Sequence, residues 1–240
     1  MNEAEWLACA EPTPLISFLT GNASERKLRL FGVACCRLVW QDLEEPSIRE
    51  LVVVSESFAD GIANLSQLRA VWRDAWDAYG SNQGESGNQD VEESVLGLGE
   101  ELELARVIRW GKASMIFVDG LSEQVSHSVY SEGNQEGRNR AFADLLRIRD
   151  RKAEAIQAAL LRDIFGNSFR PAAFSPDWRT DSALSLAQQM YESRDFSAMP
   201  ILADALQEAG CDNDDILDHC RRDESHVRGC WVVDLVLAKK

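Results

Sequence analysis

Positive charge is what this chain lacks most: 25 Lys and Arg stand against 40 Asp and Glu, a formal net charge of −15 over 240 residues. A protein that grips a phosphate backbone needs a basic footprint, because neutralising phosphates and releasing their counterions supplies much of the affinity. Nucleic acid is therefore not an expected partner, and neither is an anionic membrane surface. Long apolar runs are missing as well. Charges interrupt each of them well before the roughly 18 residues that a spanning helix requires. The opening Met1-Asn2-Glu3-Ala4-Glu5 has neither the basic region nor the apolar stretch of a signal peptide,. These absences point to a cytoplasmic protein. In a reducing compartment its six cysteines, with Cys35 and Cys36 adjacent, are expected as free thiols or metal ligands rather than disulfides,.

Catalytic signatures are equally scarce. Gly97-Leu98-Gly99 has no third glycine and no strand before it, and Gly111-Lys112-Ala113-Ser114 lacks the upstream glycine and loop of a phosphate-binding turn,. No His-Glu-x-x-His occurs. The acidic run Asp212, Asp214, Asp215 and Asp218 does not have calcium-loop spacing and reads as the solvated, N-terminal end of its own helix,. Only three histidines are available as a base: His127, His219 and His226. His127, between Ser126 and Ser128, reads as a surface residue. Carboxylate pairs cannot be singled out among so many acids. No reaction is named by the sequence, and the chain reads as non-enzymatic.

What is present is helical periodicity with repeated start and stop signals. The spacing predicts an all-α fold over residues 1–240, one multi-helix domain in which stacked helical hairpins fit the pattern. Residues 3–20 read as one or two short helices broken at Pro12 and Pro14, burying Trp6, Leu7, Leu15, Ile16, Phe18 and Leu19. Ser24 is positioned to cap a helix reaching about Leu43 that is apolar on most faces. Ser47 with Glu50, and Asn64 with Gln67, have capping-box spacing. The helix after Asn64 carries Leu65, Leu68, Trp72, Trp76 and Tyr79 on one face. Gly80 to Gln89 reads as a flexible polar loop, followed by a further box at Asp90 and Glu93. The span from Gly111 to Gly137 does not resolve into one element, and a polar loop from Ser131 to Gly137 closes it. A long helix is expected from about Arg138 to Phe165, ended by Gly166-Asn167. The segment Asn167 to Thr180 is irregular but rich in large apolar residues that should pack it down. Asp181, Pro200 and Asp212 open three more helices. The run from Trp231 to Leu237 reads as a helix rather than a strand, since no partner strand is visible. It is expected to share a core with the buried helix after Ser24.

Chemistry concentrates in one place. Cys211, His219, Cys220, His226 and Cys230 are five potential metal ligands within twenty residues, and zinc favours four thiolate or imidazole donors in a tetrahedron. A helix beginning near Ser225 would set His226 and Cys230 at i and i+4, on one side. Against this, Cys220 shares a face with Ile216 and Leu217 as a small buried hydrophobe would. The spacings also contain no Cys-x-x-Cys or His-x-x-x-His pair. Core packing without a cofactor is the reading the pattern favours; zinc is its alternative. Cys35 and Cys36 point about 100° apart on a helix and do not form a redox pair.

Longer words in the chain carry a resemblance. Glu3-Ala4-Glu5-Trp6-Leu7-Ala8-Cys9, Arg26-Lys27-Leu28-Arg29-Leu30-Phe31, Ala34-Cys35-Cys36-Arg37, Pro200-Ile201-Leu202-Ala203-Asp204-Ala205-Leu206-Gln207-Glu208-Ala209-Gly210-Cys211 and His226-Val227-Arg228-Gly229-Cys230-Trp231-Val232-Val233-Asp234 resemble a family of planctomycete bacteria with no assigned activity. The likeness spans residues 3–65 and 155–238. It implies one cytoplasmic helical unit with a variable middle, residues 80–140, where relatives are Ala-rich and this chain is not.

Three functional expectations follow. The first is a helical interaction or scaffold protein with a protein partner, suggested by dense helices and missing catalytic residues. The second is a zinc fold or sensor built on the Cys211–Cys230 segment. The third is an enzyme whose site is assembled from the irregular loop, with Arg170, Asp177 and Trp178 near His219 or His226. Pairing of Arg170 and Asp177 within their own loop is the favoured account of those residues.

Overall fold

The computed structural model describes residues 1–19, 21, 23–81 and 151–239. Among them every regular element is helical, as the periodicity predicts, and none is long and apolar enough to cross a membrane. Residues 82–89 of the expected polar loop, the Asp90/Glu93 box, the 111–137 span, His127 and the helix before residue 151 lie outside the described residues. The chain divides into two compact units, one formed by Met1–Ala8 with Leu160–Lys240 and the other by Cys9–Ala159.

Within Cys9–Ala159, α2 (Pro12–Leu19) begins at Pro12, with Pro14 in its first turn. The prolines therefore start this helix rather than break it, since neither position owes an N–H to a preceding carbonyl. In α3 (Glu25–Leu38), Ser24 accepts the amide of Lys27, and all residues from Arg29 to Cys36 are buried. A short 3-10 turn at Trp40–Asp42 follows. Next comes α4 (Pro46–Ala59), capped by the side chain of Glu45 rather than Ser47, because Pro46 takes the first helical position and the cap must precede it. Asn64 and Gln67 do form the reciprocal box, at 2.8 and 3.0 Å, that opens α5 (Leu65–Ser81). Gly80 and Ser81 thus continue a helix where a loop was expected.

One apolar cluster joins Val33, Cys36 and Val39 to Ile48, Leu51 and Val52 and to Leu68 and Ala75. The buried stripe of α5 is therefore Leu68 and Ala75, seven apart, while Leu65 and Trp76 are exposed and Trp76 stacks on Trp72. Charge also fixes α3 against α4. Arg37 makes two bonds to the fully buried carboxylate of Glu56, at 3.2 and 2.9 Å, and Arg26 meets Asp60 at 3.1 Å.

In the other unit, α1 (Glu3–Ala8) buries Trp6 completely but leaves Leu7 half exposed. The Trp6 indole N–H donates to the carbonyl of Gly166, 3.1 Å away, at the end of the helix over 151–165, here α6. Beyond it lie α7 (Asp181–Ser193), α8 (Met199–Glu208), α9 (Asp214–Arg221) and α10 (Trp231–Val236). The caps of α7 and α9 are Thr180 and Asn213, not Asp181 and Asp212. Those acids are one residue out of register for bonding the exposed amides, and Asp181 instead lies in a first turn. Ala187, Met190, Leu202, Leu206, Ile216, Cys220, Val232, Val233 and Val236 belong to one cluster. The core expected between α10 and α3 is thus two separate clusters. Each helix completes its own apolar surface with nearer neighbours, and α1 is the N-terminal element that joins the C-terminal segments.

Candidate metal centre

Four side chains converge inside this second cluster's unit. Asp163 lies in the last turn of α6, 5% exposed, and His219 in α9, 8% exposed. His226 and Cys230 bracket a tight turn in which the Cys230 amide donates to the Val227 carbonyl at 2.9 Å. Gly229 takes φ +93°, the left-handed position that glycine occupies without a Cβ clash,. The segment is therefore a turn and not the helix expected from Ser225, because that left-handed residue stops helical propagation. It nevertheless brings His226 Nδ1 to 3.9 Å from Cys230 Sγ.

The distances close a ring. Asp163 Oδ1 lies 2.7 Å from His226 Nδ1 and 3.3 Å from His219 Nε2. That same Nε2 lies 3.2 Å from Cys230 Sγ. All four donor atoms fall within 4.8 Å of one another. A tetrahedral zinc ion with metal–N/O bonds of about 2.0–2.1 Å and a metal–S bond of about 2.3 Å holds its N and O ligands about 3.3 Å apart, and N and S about 3.6 Å apart. The N–S distances, 3.2 and 3.9 Å, bracket the second value; of the N–O distances 3.3 Å matches the first, while 2.7 Å is a hydrogen bond that must lengthen to admit an ion. The other carboxylate oxygen, Oδ2, accepts the Val227 amide at 2.9 Å, so Asp163 presents one oxygen to the group. The two imidazoles meet edge to face, 4.8 Å between centroids, and Trp231 packs on the outer side of His219 at 5.0 Å.

Protons alone satisfy this ring poorly. Once both imidazoles donate to the carboxylate, neither keeps a lone pair at that nitrogen for the Cys230 thiol. The electrostatics are polarised. Burial pushes the Asp163 carboxyl up, but hydrogen bonds from His219 and His226, and their charge, outweigh it and hold the group below its usual range. Burial, with the Asp163 charge beside it, raises the Cys230 thiol well above normal. A cation at the centre would lie against this carboxylate and stabilise a thiolate.

The arrangement does not suit nucleophilic catalysis. A Cys–His–Asp relay needs the thiol on one imidazole nitrogen and the carboxylate on the other. Here both face Nε2 of His219, and burial pushes the thiol up, away from the thiolate that attack requires,.

Of the five ligands expected from sequence, His219, His226 and Cys230 come together. Cys211 and Cys220 are buried in the apolar cluster and are not among the four. Burial raises both thiols, that of Cys220 to about 12. Asp163 is the member of the group that sequence reasoning missed. The loop residues lead elsewhere: Arg170 is exposed and paired with Glu3, Asp177 is exposed in a 3-10 turn, and Trp178 packs edge-on to Phe174 at 5.3 Å. Comparison with family models, curated proteins and solved structures returns no match.

Proposed function

We propose that Asp163, His219, His226 and Cys230 bind one zinc-class divalent ion, making the C-terminal unit a metal-dependent fold within a non-enzymatic helical protein. The observation that carries this reading is convergence: four donor atoms from three separate segments lie within 4.8 Å of one another. Two imidazoles and a thiolate favour zinc or cobalt over magnesium, calcium or manganese, which prefer all-oxygen, higher-coordinate sites. With Asp163 held to one oxygen and its partners buried, the protein offers four bonds and no open position, the pattern of a structural rather than a catalytic site. The ion would tie the end of α6 to α9 and to the 226–230 turn. A wider role as an interaction or scaffold protein agrees with such a rigid, closed unit.

Elemental analysis of protein purified without chelator tests the reading. One equivalent of zinc per chain is expected, and replacement by cobalt should give the strong visible bands of a tetrahedral ion with one thiolate. Less than a tenth of an equivalent, with no uptake on reconstitution, would refute it.

A further inference from the structure

We infer that occupancy of the four-ligand site sets whether the N-terminal helix α1 stays docked, an inference that rests on the metal reading above. A six-residue helix with a single buried side chain has no stability of its own and persists only through what grips it,. Its polar contacts gather on residues 162–170. The Trp6 indole bonds Gly166, Arg162 reaches the Trp6 carbonyl at 3.5 Å, and Asn167 and Arg170 both hold the Glu3 carboxylate. Asp163 stands inside that stretch, next to Arg162 and three residues before Gly166.

The ligand group grips the same stretch from its other side. Trp231 follows Cys230 directly, packs on the His219 ring, and lies so close to Gly166 that a Cβ there would sit 3.0 Å from its ring. An ion fixing Asp163 to His219, His226 and Cys230 therefore fixes both the carbonyl that receives Trp6 and the indole that backs it. When the ion leaves, a buried carboxylate and a buried thiol, held only by the two imidazoles and the Val227 amide, remain at the base of that turn. The turn relaxes to solvate them, and the Gly166 end moves out of register with Trp6. Linkage makes the effect reciprocal: whatever factor the ion adds to docking of α1, docking adds to affinity for the ion.

The test is hydrogen exchange by mass spectrometry on the full chain, with one equivalent of zinc and after chelation. Exchange in the peptide over 1–9 should speed up by about tenfold or more on chelation, within the range of ordinary allosteric couplings. The α7–α8 region, residues 181–208, should keep its protection. Reciprocally, Trp6→Phe, which keeps bulk and loses the indole donor, should weaken zinc binding measured by competition with a chromophoric chelator. If zinc binds but exchange over 1–9 does not change, the coupling is wrong and the metal reading stands. Simultaneous loss of protection at 1–9 and 181–208 also overturns it, since the ion would then hold the whole unit. Failure of zinc to bind removes both readings.

Discussion

Replacing Gly166 with alanine tests the packing around the candidate centre through a single methyl group. Gly166 has φ +65°, where an L-residue costs about 1–2 kcal/mol,. Its new Cβ would also meet three atoms of the Trp231 ring, at 3.0, 3.1 and 3.3 Å. Trp231 is not free to withdraw at will, because it also packs on His219, 5.0 Å between ring centroids. Overpacking of this kind costs about 1–3 kcal/mol. The sum, about 2–5 kcal/mol, is a large part of the stability of an ordinary domain. Gly210 supplies the control: its φ is +89°, but no atom lies within 4 Å of an added Cβ, so Gly210→Ala carries only the backbone component. Urea unfolding followed by far-ultraviolet circular dichroism should place Gly166→Ala below Gly210→Ala by about 1–3 kcal/mol. Adding Trp231→Leu to Gly166→Ala should narrow the gap between them, as expected for residues in contact. Equal destabilisation by the two glycine substitutions would refute the claim that Trp231 is clamped between Gly166 and the histidine pair.

Metal content should separate the cysteines: Cys230→Ser and Asp163→Ala are expected to purify with less than about a tenth of the wild-type zinc, through loss of one of four bonds, whereas Cys211→Ser and Cys220→Ser keep one equivalent. Titration of the native protein with a thiol reagent should find Cys9 reactive and the other five cysteines silent until denaturant is added, since those five are buried,. Arg37→Ala should destabilise the protein by about 1–3 kcal/mol in denaturant melts, because it removes two charge-assisted bonds to the buried Glu56 carboxylate,. The double variant Arg37→Ala, Glu56→Leu should recover most of that loss.

Much of the helical framework was legible in the residues, and the reason is burial on many sides at once. From Arg29 to Cys36 nearly every position faces other protein, so the pattern identified a central helix without ambiguity. The apolar run at 231–237 reads as helix only for want of a partner strand, and Trp231–Val236 is helical. Caps were less legible. A capping oxygen acts only from the single position before the first turn, and Ser47, Asp181 and Asp212, one or two residues away, offered themselves equally well. The candidate centre was three-quarters legible, since imidazoles and thiols are rare enough to stand out. Asp163 was not, being one of 40 acids. The 226–230 turn was hidden for another reason. Its shape depends on one glycine's backbone angle, which spacing alone does not reveal.

The place of Trp6 has a consequence for how the chain is made. Its receiving carbonyl lies 160 positions later, and the indole that backs that carbonyl later still, at Trp231. At about 5–20 residues per second, a ribosome needs about 10–50 seconds to travel from one tryptophan to the other. Throughout that interval an aromatic destined for full burial has no site to enter. It is exposed to chaperones and to other nascent chains, and the unit can close only when synthesis has passed Trp231. Trimming a few residues from the front of this protein is therefore, in folding terms, an injury to its far end.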